Sequence, residues 1–260
     1  MTRSPGRLLR VSIPPFHWWR TVFFLIPAIG VYTLVLGALS LGSSVLGGYG
    51  DFGHGCARAW SWLILATTGV DVDVRGRELV APGEVYVFTS NHQSIYDIPI
   101  IFWSLPVQLR IIAKASLGWF PVLGWHLART GHVLVDRARP GTEVFRRITT
   151  IMARGRSLIV FPEGTRSIDG RLRRFKKAIF VLAIEAGLPV VPVSVTGSRH
   201  VMRRGRLMTC PGQVRLTLHR PIATAGLSRD DAADLAARVQ RIVETAVDCD
   251  DTPASGETAE

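Results

Sequence analysis

The chain has 260 residues, 47% of them hydrophobic and seven of them Trp, enough to bury one substantial core and incompatible with a disordered polymer. Its formal net charge is +11, and the last thirteen residues, Asp248 to Glu260, hold five acids and no base, which leaves +16 on residues 1–247. Such a body seeks anions, whether nucleic acid, an anionic bilayer surface or a phosphorylated substrate. Cys56, Cys210 and Cys249 are too few and too scattered for a disulfide framework, and no paired Cys/His spacing points to zinc, so neither a metal nor another bound cofactor is expected.

In chain order, the first feature is a run of 30 uncharged residues between Arg20 and Asp51, longer than the roughly 20 that cross a bilayer as a helix. A second apolar stretch, Ala59 to Val70, has only 12 residues between Arg58 and Asp71, too short to span. Arg3, Arg7, Arg10 and Arg20 precede the first segment and Arg58, Arg75 and Arg77 flank the second, whereas the intervening loop, residues 47–57, carries no Lys or Arg. Both outer ends are therefore expected on the cytoplasmic side, with residues 1–69 forming a basic N-terminus and a membrane-embedded helix pair. A cleaved signal peptide is the competing reading of the basic start, the apolar run and Ala38-Leu-Ser40, but a 20-residue leader is long for one.

From Val70 onward short β-branched runs recur at Val70 to Val74, Val85 to Thr89, Leu109 to Ala113, His132 to Val135, Ser157 to Phe161, Val190 to Thr196 and Val214 to Leu218; these predict buried strands. Helical patterns lie between several of them, notably Thr142 to Arg154 and Phe175 to Ala186, the latter closed by Gly187 and Pro189. A last helix is predicted from about Arg229 to Val247, opened by a capping box at Ser228 and Asp231. The alternation predicts an α/β fold with a mixed, largely parallel sheet flanked by helices: one domain over residues 70–247, then an acidic flexible tail over 248–260.

After the strand at Val85 comes Ser90-Asn91-His92-Gln93-Ser94-Ile95-Tyr96-Asp97. A five-residue spacing separates two side chains by about 140° on a regular helix, so His92 and Asp97 can meet only if His92 sits on the strand-to-helix turn. In that placement Asp97 would fix the imidazole tautomer while the other ring nitrogen takes a proton from an alcohol. By itself the pair is a weak signal that also fits a capping histidine beside a solvated first-turn acid. No Gly-x-Ser-x-Gly nucleophile is nearby, which favours direct transfer without a covalent enzyme intermediate.

The strand at Ser157 is followed by Phe161-Pro162-Glu163-Gly164-Thr165-Arg166-Ser167, in the kind of loop where open α/β sheets bind ligands. Arg166 can grip a phosphate through two parallel hydrogen bonds, Thr165 and Ser167 add hydroxyls, and Gly164 admits close backbone approach. Glu163 cannot bind phosphate, so it is expected to orient Arg166 or to accept from a substrate hydroxyl. The basic runs at Arg171, Arg173, Arg174, Lys176 and Lys177 and at Arg199, His200, Arg203, Arg204 and Arg206 are assigned mainly to anionic lipid headgroups.

With these clusters about 70 residues apart, the sequence resembles the 1-acylglycerol-3-phosphate acyltransferase family of the glycerolipid acyltransferases. Four blocks over roughly residues 70–220 carry the resemblance: Asn91-His92-x4-Asp97; Lys114-x2-Leu117-x3-Pro121-x2-Gly124 with Val135-Asp136-Arg137; Phe161 to Ser167; and Val190-Val-Pro192-Val-Ser-Val195. The resemblance implies His92 as general base oriented by Asp97. It implies Glu163, Gly164 and Arg166 as acceptor-binding residues, Lys114 and Arg137 on the phosphate side, and Pro192 in a structural or acyl-chain block. Asn91 of the first block and Thr165 of the third are counted with the substrate-binding residues. The implied partners are membrane lipids, a lysophospholipid acceptor, and acyl-CoA or acyl carrier protein as thioester co-substrate, at the cell membrane with the catalytic domain on its cytoplasmic face. One departure stands out: Ala178 occupies a position where the family usually has Gly, and its methyl could narrow the acceptor pocket.

The expected reaction is acylation of 1-acyl-sn-glycerol 3-phosphate to phosphatidic acid. Other acceptors, such as lyso-ornithine lipid, glycerol 3-phosphate or another lysophospholipid, and an inactive lipid-binding relative are the alternatives. Nucleic acid is not an expected partner, because the basic runs come with no aromatic platform or recognised binding fold.

Overall fold

A computed structural model of the chain describes residues 15–45, 50–135 and 142–251. The basic leader before residue 15, Asp136 and Arg137, and residues 252–260 lie outside the described residues.

The uncharged run becomes one rod, α1 (residues 16–45), made of Phe16–Arg20, a π-helical turn Thr21–Leu25 and Ile26–Val45. The π turn has a local cause: Pro27 has no N–H for the carbonyl of Phe23, so the ladder widens just ahead of it. Phe16, Phe23, Phe24, Val31 and Leu34 are exposed on the rod, and its 16–44 stretch is long and apolar enough to cross a membrane, with almost none of it buried. Helix α2 (Asp51–Thr68) returns antiparallel beside it. Arg20 caps the far end of α2 through the carbonyls of Thr67 and Thr68 (3.3 and 2.7 Å), and Trp60 Nε1 donates to Thr33 Oγ1 at 3.0 Å.

Two expectations change here. Most of the segment predicted as a loop over 47–57 is helix, because its glycines allow a tight crossing. A Cβ on Gly53 would lie 2.5 Å from Thr130 Cγ2 and 2.7 Å from Ser40 Oγ. Secondly, α2 is not a mere partner of α1 in lipid: its inner face, with Ile64 and Leu65, enters the same core cluster as the sheet.

The seven strands are β1 (Val70–Arg75), β2 (Val87–Ser90), β3 (Leu109–Lys114), β4 (Val133–Val135), β5 (Ser157–Val160), β6 (Val190–Thr196) and β7 (Gly212–Leu218), in the order β1-β7-β6-β2-β5-β3-β4. Strands β2 to β6 run parallel, and β7, antiparallel to β6, carries β1 with it in the opposite direction. The sheet is thus mixed and largely parallel, and the carboxyl ends of β6, β2, β5, β3 and β4 share one edge.

Successive residues of the central strands feed opposite faces, as the pleat requires. Phe88, Ile159 and Val193 pack under α2, α3 (Asp97–Ser104) and α4 (Leu123–Arg129). Val87, Leu158 and Val190 pack under α5 (Thr142–Ala153), α6 (Ala178–Glu185) and α8 (Ala232–Asp251). A short helix α7 (Ser198–Val201) follows β6. The capping box forms, with both the amide and the hydroxyl of Ser228 donating to Asp231 Oδ2 (2.7 and 2.8 Å). Helix α8 runs to Asp251, beyond the expected end at Val247.

Gly124 shows what the second sequence block does physically. It begins α4 against the 3-10 turn Ala115–Trp119, and a Cβ there would lie 2.3 Å from the Gly118 carbonyl oxygen, a backbone atom with nowhere to go. Gly124→Ala is therefore expected to destabilise the fold by about 1–3 kcal/mol through overpacking, measured as a shift of the urea midpoint in detergent, with the slope of the transition unchanged.

Candidate active site

Strand β2 ends at Ser90 and the chain leaves the sheet at its shared carboxyl edge. Asn91 takes over the strand's role with its side chain: Nδ2 donates to the Val195 carbonyl and Oδ1 accepts from the Val195 amide, both at 2.8 Å. Asn91 is buried, and both bonds of its amide to Val195 tie it to β6. It positions the next residue.

That residue is His92, on the turn that the five-residue spacing demands. Its Nδ1 lies 2.8 Å from Asp97 Oδ2, and the same oxygen accepts the amides of Gln93 (2.8 Å) and Ser94 (2.9 Å). The carboxylate is fully buried at the first turn of α3, where the helix N-terminus favours negative charge. A carboxylate only accepts, so Nδ1 carries the proton and Nε2 presents its lone pair. Nε2 makes no hydrogen bond among the described residues and keeps an open edge. The ring stacks on Phe161, with centroids 4.0 Å apart and planes at 18°.

The loop after β5 grips the backbone of His92 from both sides. The His92 amide donates to Glu163 Oε1 (2.7 Å), and the His92 carbonyl accepts from the Ser167 amide (2.8 Å). Glu163 Oε2 in turn accepts the Arg173 amide at 3.0 Å. Both carboxylate oxygens therefore accept from backbone donors, which ties the His92 turn to the loop after β5. Burial raises the Glu163 carboxyl to about 7, against the opposing pull of these two amides.

Gly164, at φ +75°, turns the loop next to Lys176, whose Nζ would lie 3.1 Å from a Cβ there. Lys176 had been assigned to lipid headgroups, so the structure adds a cation to the loop. Thr165 and Arg166 are half-buried. Arg204 Nη1 donates to the Arg166 carbonyl at 2.6 Å, and no carboxylate among the described residues pairs with the Arg166 guanidinium. Lys114 is exposed at the carboxyl end of β3, two strands from His92 and hence about 10 Å along the edge at ordinary strand spacing. Arg137 lies outside the described residues. Ala178 is exposed at the start of α6.

An apolar cavity of about 320 Å³ opens beside this turn, bounded by Ile95 and Ile98 near His92, by Trp60 of α2 and Leu36 of α1, and by Leu117 and Leu123. Its far end reaches His126 and His132. Burial, reinforced by neighbouring positive charge, pushes His126 down to about 4 and His132 well below the usual imidazole range, so this end stays uncharged.

A family model described as Acyltransferase matches residues 71–196. The chain is 34% identical over 198 residues to the chloroplastic 1-acyl-sn-glycerol-3-phosphate acyltransferase BAT2 of Brassica napus, covering 74% of this chain and 57% of that protein. It is 33% identical over 176 residues to 1-acyl-sn-glycerol-3-phosphate acyltransferase alpha of Mus musculus, covering 66% and 62%. The fold superposes on the crystal structure of the 1-acyl-sn-glycerophosphate (LPA) acyltransferase PlsC from Thermotoga maritima with a TM-score of 0.79 and 28% identity, over 92% of this chain and 98% of that one. Residues 71–196 thus carry an Acyltransferase-family domain. The chain spans 57% and 62% of the length of the two curated relatives.

For this acyltransferase-family chain, sequence reasoning overlooked the stacking of Phe161 on His92 and the tie through Glu163. The available signal was the order Phe-Pro-Glu, with an aromatic and an acid flanking a rigid proline at a strand exit. Between pH 4.5 and 7 the folded chain keeps a proton on Glu163 that the unfolded chain releases, so this group's stabilisation is complete below that window and lost as pH rises through it. The loss is on the order of 3 kcal/mol. Glu163→Gln is expected to remove this slope, so its stability relative to wild type improves from pH 5 to pH 8, as denaturant titrations at both pH values would register.

Proposed function

We propose that the chain transfers a fatty acyl group from a thioester, acyl-CoA or acyl carrier protein, to the free hydroxyl of 1-acyl-sn-glycerol 3-phosphate, giving phosphatidic acid. The observation that carries the reading is the 2.8 Å contact between His92 Nδ1 and the buried Asp97, with Nε2 left open. Naming of the relatives as acyltransferases of this acceptor supports it.

In this reading the acceptor phosphate is held by Arg166, with Lys176 or Lys114 beside it, and the hydroxyl is presented to Nε2. The hydroxyl oxygen attacks the thioester carbonyl as its proton passes to Nε2, and the imidazolium is stabilised by Asp97. The tetrahedral intermediate then expels the thiolate, which receives the proton back from His92. Fixed geometry at the turn supplies the entropic part of the acceleration. The apolar cavity suits an acyl chain, and α1 suits anchorage in the cell membrane with the catalytic domain on the cytoplasmic face, where a lysolipid can slide into the site without leaving the bilayer.

His92→Ala is expected to lower turnover by about 10² to 10⁴ or more while membrane association persists, measured by phosphatidic acid formation from purified protein; retention of a tenth of the activity would exclude His92 as the base. Arg166→Lys loses the planar fork and is expected to raise the acceptor KM several-fold more than the donor KM. An unchanged acceptor KM would remove Arg166 from the phosphate site.

A further inference from the structure

Three aromatic side chains stand in solvent where the second sequence block leaves the sheet. Trp119 is 87% exposed, and Phe120 and Trp125 are each more than half exposed. An aromatic ring gains by leaving water unless something holds it there, and the backbone between these rings shows what does. The Leu123 amide donates to the Pro121 carbonyl at 2.7 Å across Val122, whose φ of 63° and ψ of -57° make a tight γ-turn. This is a costly conformation for a β-branched residue. It is braced by the Gly124 amide, which donates to the Phe120 carbonyl at 2.8 Å, and by the close approach of Gly124 to the Gly118 carbonyl. The strain thus serves to hold Trp119 and Phe120 outward while Val122 packs on a neighbour.

That neighbour is α1. A Cβ on Gly37 would lie 2.3 Å from Val122 Cγ1, and one turn further on Ser40 Oγ lies 2.8 Å from His126 Nδ1. Towards the other end of the rod, Thr21 Oγ1 accepts the Thr209 amide at 2.9 Å. The body therefore grips α1 along one side, and Leu34, Val35 and Leu39, on the same turns as Gly37, remain more than half exposed. The aromatic turn lies beside this apolar rod and extends it. Lys114 before the turn and Arg129 after it are exposed as well. Aromatic rings flanked by cations match the headgroup boundary of an anionic bilayer, where indoles settle and Lys or Arg meets lipid phosphate.

Resting on the anchorage proposed for α1, we propose that Trp119, Phe120 and Trp125 form a second membrane contact, inserted at the headgroup boundary of the leaflet that α1 enters. One rod leaves the body free to roll about its axis, and a second contact on a different element fixes that roll. Leu117 and Leu123, which line the apolar cavity, bracket the turn in sequence, so the contact holds this wall of the cavity at the bilayer surface.

The test reads the tryptophan fluorescence of the full chain in vesicles of phosphatidylcholine and phosphatidylglycerol, with part of the lipid brominated high on its acyl chains. Subtracting the Trp119→Phe signal from that of wild type isolates the indole at position 119. That component should lose about half or more of its emission to the bromolipid and be shielded from aqueous iodide. The double variant W119F/F120W moves the indole by one position and should restore the bromolipid quenching; an unquenched indole there overturns the proposal. Iodide quenching of the 119 component without bromolipid quenching, in protein that floats with the vesicles, also overturns it and leaves the anchorage by α1 standing. Failure to float with the vesicles overturns both. Shielding from both quenchers, with a fall in molecular mass on Trp119→Ser, would put a second copy of the chain on the patch and overturn the lipid assignment.

Discussion

One buried oxygen, Asp97 Oδ2, receives the imidazole of His92 and the amides of Gln93 and Ser94 at 2.8 to 2.9 Å. An ionised carboxylate in a dry site is costly unless its lone pairs are filled; three donors from one turn converge on Oδ2, while Oδ1 is buried without a hydrogen-bond partner among the described residues. The same contacts that make the charge tolerable also fix the turn, so the ring's orientation and tautomer are not separable from the local fold. Disturbing the acid would release the backbone as well as the imidazole ring.

A second buried acid extends this logic. Glu163 carries the His92 amide on one oxygen and the Arg173 amide on the other, joining the exit of β2 to the loop that follows β5. Together with Ser167 and the Asn91 mimicry of a strand, it holds the histidine from three adjacent strands, β5, β2 and β6. A side chain placed by a sheet edge in this way sits on a rigid support, which is what the proposed catalytic role of His92 requires.

The surroundings of that support differ by side. Towards α1 and α2 lies an apolar cavity reaching His126 and His132, and towards β6 and α8 lies a polar one lined by Arg171, Arg199 and His200. Such a division suits amphipathic substrates that meet at one histidine.

The amino-acid sequence by itself determined the α/β alternation, the seven strands, the last helix with its capping box, and the turn placement of His92, because pleat period, capping chemistry and helix geometry are local and leave a mark within a few residues. Only the tertiary structure decided that Asn91 and Glu163 bind backbone groups of β6 and of the His92 turn, that Phe161 stacks on the imidazole, that Gly53 admits a helix crossing where a loop was expected, and that α2 belongs to the core. Those outcomes depend on which strands become neighbours. Residues 91 and 195, or 92 and 163, are brought together by sheet order, a long-range choice that local residue patterns do not encode.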